Sequence, residues 1–101
     1  MKNFILVLFG IIFSNMIFAQ TFNVSFNDIY STDSLSAWIV GDEGTILHIN
    51  DGGTSFDDHS YPTSLNLNSI CFANEQRGFI VGDSGLVLRT DNAGETWNIV
   101  D

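Results

Sequence analysis

A chain of 101 residues is the length of one small domain, and its formal charge of −9 sets 12 acidic residues against 3 basic ones. That acidity argues strongly against nucleic-acid binding, which needs a basic surface, and equally against an anionic membrane surface. The single cysteine, Cys71, excludes an intrachain disulfide.

The chain opens with the pattern of an export signal. Lys2 is a positive start, Phe4 to Phe13 is an apolar run broken by Gly10, and Ala19 precedes Gln20. A secretory signal peptide over residues 1–19 is expected, cleaved after Ala19. Ile17 is larger than the small residue usual at its position, which leaves the scissile bond open. The 16 residues from Phe4 to Ala19 fall short of the ~20 that a spanning helix needs. The expected location is therefore secreted, periplasmic or extracellular, with no membrane insertion after cleavage. Removing residues 1–19 leaves 82, twice 41, and takes away Lys2, so the charge becomes −10 with Arg77 and Arg89 as the fixed cations. In an oxidising compartment without a disulfide, packing alone must hold the fold.

The mature segment repeats itself. Ile39, Val40, Gly41, Asp42, Gly44, Leu47 and Gly53 meet identical residues 41 positions later, as do Asn27 and Ile29. Short apolar runs alternate with Gly, Asn, Asp and Ser clusters, and no helical period is sustained, which predicts all-β structure. In the first period strands are expected near residues 24–30, 37–40, 45–49 and, weakly, 55–58. In the second they are expected near 67–72, 78–81, 86–90 and 96–100.

The turns carry their own chemistry. Gly41-Asp42-Glu43-Gly44 and Gly82-Asp83-Ser84-Gly85 join the second and third strands, where glycine tolerates φ > 0 and Asp bonds nearby backbone N–H groups. Asn50-Asp51-Gly52-Gly53 and Asp91-Asn92-Ala93-Gly94 join the third and fourth with hairpin chemistry. Pro62 blocks ladder pairing in the segment between the periods.

Four strands in about 40 residues is the size of one propeller blade. The expected fold is all-β, with two four-stranded antiparallel blades of a larger propeller, residues 20–60 and 61–101. Ile39/Val40 and Ile80/Val81 read as strands buried on both faces. Two blades leave two apolar faces in water, so either a longer parent chain or self-association through those faces is expected, the longer parent more strongly.

At the hairpin after the third strand the sequence resembles a known family. Thr90-Asp91-Asn92-Ala93-Gly94-Glu95-Thr96-Trp97 is similar to an Asp-box of the BNR type, with Asn92 at the motif's Asp. The earlier copy keeps Asp51 and Gly53, with Ile49 for Ser/Thr and Phe56 for Trp. Together with the Gly-Asp-x-Gly turns, the pattern resembles photosystem II assembly and stability factors and their exported bacterial relatives. The resemblance covers most of residues 26–101. It implies structural rather than catalytic roles for Asp51, Gly53, Phe56, Asn92, Gly94, Thr96 and Trp97. The Asp or Asn caps the turn and the aromatic packs beneath it.

Sialidases also carry Asp-boxes, but the resemblance puts their recognition on three arginines, and the mature segment has two. No carboxylate pair is singled out among turn-located acids. Asp42, Asp51, Asp57 and Asp58 offer oxygens to Ca²⁺ but lack EF-hand spacing, so solvated turns are expected. His48 and His59 read as isolated, without zinc spacing, and His48, aligned with Arg89, as an exposed strand position. Cys71 reads as a small buried hydrophobe, and Trp38 and Phe79 as equivalent residues packed between blades. Asn23-Val24-Ser25 fits a glycosylation acceptor in a eukaryotic secretory host.

The function expected is a non-enzymatic, exported protein-binding scaffold of assembly-factor type, with no cofactor, no bound metal and an unnamed protein partner. The alternative is the N-terminal part of a secreted BNR-type glycosidase or carbohydrate-binding protein.

Overall fold

The computed structural model describes the backbone of residues 6–9 and 19–101, with side chains from residue 23 onward. Leu6–Phe9 (β1) pairs antiparallel with Ala19–Phe22 (β2). The rest of the expected export signal lies outside the described residues. Among the described residues no helix is long and apolar enough to cross a membrane.

The repeat folds as two four-stranded antiparallel meanders. The first sheet is β3 (Phe26–Asp33), β4 (Ser36–Gly41), β5 (Ile46–Ile49) and β6 (Asp57–Asp58), in that order. The second is β7 (Leu67–Phe72), β8 (Gly78–Gly82), β9 (Val87–Thr90) and β10 (Asn98–Ile99). β3, β5 and β6 start 41 residues before β7, β9 and β10. Both first strands carry a β-bulge at the same repeat position, leaving Asn27 and Asn68 out of the ladder. The fourth strands are shorter than expected, two residues each. The Asp-box turn takes up the preceding residues, and Trp97 leaves the ladder for the core.

The core lies between the two sheets. Trp38, Val40 and Ile46 point from the first sheet, and Leu67, Ile70, Ile80, Leu86, Leu88 and Trp97 come from the second. Side chains alternate across a strand, so this face is built from every other residue. Three polar side chains of β3 tie the sheets together. Asp28 Oδ2 accepts from the Ile70 amide at 2.9 Å and from Ser69 Oγ at 3.2 Å. Asn27 Nδ2 donates to the Leu67 carbonyl at 2.8 Å, and Tyr30 Oη to the Phe72 carbonyl at 3.2 Å.

The connecting segment is strapped to the first Gly-Asp-x-Gly turn. The Gly44 amide donates to the Leu65 carbonyl, and the Tyr61 amide to the Gly44 carbonyl, both at 2.9 Å. Gly44 has φ +76°, and a Cβ there would stand 2.1 Å from the Tyr61 carbonyl oxygen. Only glycine satisfies both demands.

Three expectations about burial are corrected. Ile39 and Val40 are both buried, but of the second pair Ile80 is buried and Val81 is 43% exposed. Phe79 is half-buried rather than packed between sheets. Cys71 is exposed. The cause is common to all three. Cys71, Phe79 and Val81 face the outer side of the second sheet, whereas Tyr30, Trp38 and Val40, their counterparts, face the second blade.

Candidate functional site

The second Asp-box is closed by side chains rather than by a ladder. Thr90, fully buried, accepts from the Gly94 amide at 2.9 Å and donates to Asn92 Oδ1 at 2.8 Å. Asn92 Oδ1 accepts from the Thr96 amide at 3.0 Å, and its amide group donates to Thr96 Oγ1 at 2.9 Å. In the first box Asp51 Oδ1 accepts from the Ser55 amide at 3.0 Å, and Oδ2 from the Ser55 hydroxyl. Bonding to Ser55 holds the Asp51 carboxyl below the usual carboxylate range. Ile49 gives this copy no hydroxyl to match Thr90.

The aromatic of the second box packs between the blades. Trp97 is buried edge-on against Trp38 (5.8 Å) and Phe72 (5.9 Å). Its indole Nε1 is buried without a partner among the described residues. Gly94 (φ +88°) lies against the Trp38 ring, where a Cβ would meet Cζ2 at 2.2 Å. The Asp-box glycine is thus also a docking surface for the first blade.

The two Gly-Asp-x-Gly turns are built alike. Asn27 Nδ2 donates to Asp42 Oδ1, and Asn68 Nδ2 to Asp83 Oδ1, each at 3.0 Å. Glu43 and Ser84 take positive φ at the third position. Asp42 and Asp83 are therefore fastened to the bulge of their own blade, and Asp51 to its box, so these carboxylates serve turns.

Arg77 and Arg89 converge on one carboxylate. Asp91 accepts from Arg77 Nε at 2.9 Å and from Arg89 Nε at 3.2 Å. The Arg77 hydrogen bond leads in holding the Asp91 carboxyl below its ordinary range. Asn74, Glu75, Gln76, Arg77 and Asp91 line an open cleft of about 430 Å³ beside it. Arg77 and Arg89, the two arginines of residues 20–101, are thereby paired on the surface.

The two histidines are not isolated, contrary to the sequence reading. His48 on β5 stands directly opposite Asp57 on β6. Two residues on, the His59 amide donates to the Ile46 carbonyl, which puts His59 diagonal to His48 on the same face. Ligand atoms of His48, Asp57 and His59 lie within 4.8 Å of one another. His48 is half-buried and stacks on Trp38, centroids 4.1 Å apart and planes 11° apart. Burial, then the charge of His59, lowers its pKa, while Asp57 and Asp33 oppose the shift. Sequence separation hid this group, since 48 and 59 match no zinc spacing. The second copy has Arg89, Asn98 and Val100 at these positions, but most positions of the repeat differ, so the sequence carried no distinct signal of the group.

A family model described as "Photosynthesis system II assembly factor YCF48" matches residues 13–101. Among solved structures the chain is similar to "YCF48 bound to D1 peptide", with 25% identity and a TM-score of 0.69. It is similar in fold to YCF48 from Cyanidioschyzon merolae, with 18% identity and a TM-score of 0.67. Each likeness covers 77% of this chain and 27% of the solved one. No curated protein matches the chain in sequence. Of the two readings that Asp-boxes allowed, these likenesses support the assembly-factor one.

Proposed function

Since the chain belongs to the family of the photosynthesis system II assembly factor YCF48, we propose that it is an exported, non-enzymatic propeller segment that holds a peptide stretch of a client protein. The observation that carries this reading is the likeness, at a TM-score of 0.69, to a YCF48 that binds a D1 peptide. Export rests on Lys2, the apolar run to Phe13 and Ala19.

The charge favours a cationic client segment. The chain carries −9, and Arg77 and Arg89 are both engaged by Asp91, so among the described residues acids outnumber the cations available to pair them. Complementary potential sets partner choice and on-rate more than raw affinity.

Fluorescence anisotropy with labelled peptides tests the reading. A Lys/Arg-rich extended peptide is expected to bind with an affinity that falls as salt rises. A D1 peptide and an Asp/Glu-rich peptide serve as comparisons. Equal binding of basic and acidic peptides, or none of either, would overturn it. Export is read separately, by N-terminal sequencing of the mature protein, which is expected to begin at Gln20.

A further inference from the structure

We propose that His48, Asp57 and His59 form a binding site for a divalent transition-metal ion of the Zn²⁺ type. Three ligand atoms already lie within 4.8 Å of one another. In a closed zinc site, with bonds of ~2.0–2.1 Å, they would stand roughly 3.3 Å apart. Ion binding would draw the three side chains together by up to about 1.5 Å.

The backbone is well placed to hold them. His48 and Asp57 are a cross-strand pair, and His59 is anchored by its amide to Ile46 on the same ladder. Sites on strands are positioned more precisely than sites on loops. Trp38 covers one face of the His48 ring and tilts against His59 at 5.3 Å. Asp57 is exposed, so an ion reaches the site from solvent.

Donor chemistry selects the class of ion. Two imidazoles and one carboxylate suit Zn²⁺, Cu²⁺, Ni²⁺ or Co²⁺, with water completing the sphere. Ca²⁺ asks for six to eight oxygens, which this group does not supply.

The repeat supplies an internal control. The corresponding positions of the second blade are Arg89, Asn98 and Val100, which cannot ligate such an ion together. Strand pairing there is the same, with Asn98 opposite Arg89. The fold therefore does not require this trio, and the first blade alone carries it.

The test is calorimetric titration of the metal-stripped 101-residue chain with ZnCl₂, alongside His48→Gln, Asp57→Asn and His59→Gln. One ion per chain is expected, with affinity falling roughly tenfold or more in each variant, as for loss of a direct ligand. Asp57→Asn changes an exposed side chain at constant size, so it stays informative where a histidine variant misfolds. A second readout uses Trp38. Cu²⁺ is expected to quench part of the fluorescence that Trp38 shares with its neighbour Trp97, Zn²⁺ to reverse that quenching by competition, and Ca²⁺ to do neither. Absence of Zn²⁺ binding, or binding that Asp57→Asn and His59→Gln leave unchanged, would overturn the site.

Discussion

Thr90 shows how much one hydroxyl can organise. It is fully buried, yet it accepts from two amides and donates to Asn92. Thr90→Val keeps shape and volume close but leaves the Gly94 amide without its acceptor. A buried donor stripped of its partner costs about 1–3 kcal/mol. Urea unfolding of the variant is expected to show a loss in that range. A midpoint equal to the parent's would mean that water replaces the hydroxyl. The first box, with Ile49 at this position, lacks that closure and relies on Asp51 and Ser55. The His48 group teaches the converse at the same scale. Residues ordinary one by one become a chemical unit when a hairpin sets them side by side.

At the scale of elements, the Asp-box hairpin of the second blade is a connector as well as a turn. Gly94 and Gly53 both have positive φ, so alanine strains the backbone at either. They differ in surroundings. A Cβ on Gly94 would meet Trp38 at 2.2 Å, whereas one on Gly53 would meet nothing within 4 Å. Gly94→Ala is therefore expected to destabilise more than Gly53→Ala, by about 1–3 kcal/mol from overpacking. Adding Trp38→Leu to Gly94→Ala is expected to recover part of that difference in a double-mutant cycle. Equal losses in the two alanine variants would show that the hairpin does not press on the first blade. The strand pair β3 and β7 works alongside it, since Asp28, Asn27 and Tyr30 reach across by hydrogen bonds.

At the largest scale, the interface between the sheets shows what covers a blade face. Asn27 bonds both Asp42 of its own blade and the Leu67 carbonyl of the next. Asn68 repeats the first bond, to Asp83. Beside it, Phe79, Val81 and Val87 correspond to Trp38, Val40 and Ile46, which are buried against the second blade. The outer face of the second sheet therefore matches the inner side of another blade. If copies of the 101-residue chain associate through this face, Val81→Lys is expected to reduce that association in sedimentation velocity runs while leaving the folded spectrum intact. Association unchanged by that substitution would place the contact elsewhere.

Local architecture is legible in the residues alone. Matching turns at a spacing of 41, alternating apolar residues and Asp-box chemistry specified strands, hairpins and blades, because each depends on residues near in sequence. Leu67–Phe72 falls where its apolar pattern put it. What each blade face meets depends on how the sheets pack. Repeat alignment makes Trp38 and Phe79 equivalent, yet one is 2% exposed and the other half-buried. It makes His48 the counterpart of an exposed arginine, yet His48 lies on Trp38 beside Asp57 and His59. Burial and side-chain juxtaposition depend on which surfaces are brought together, and a periodic sequence carries the same local pattern whether or not a neighbouring blade covers it.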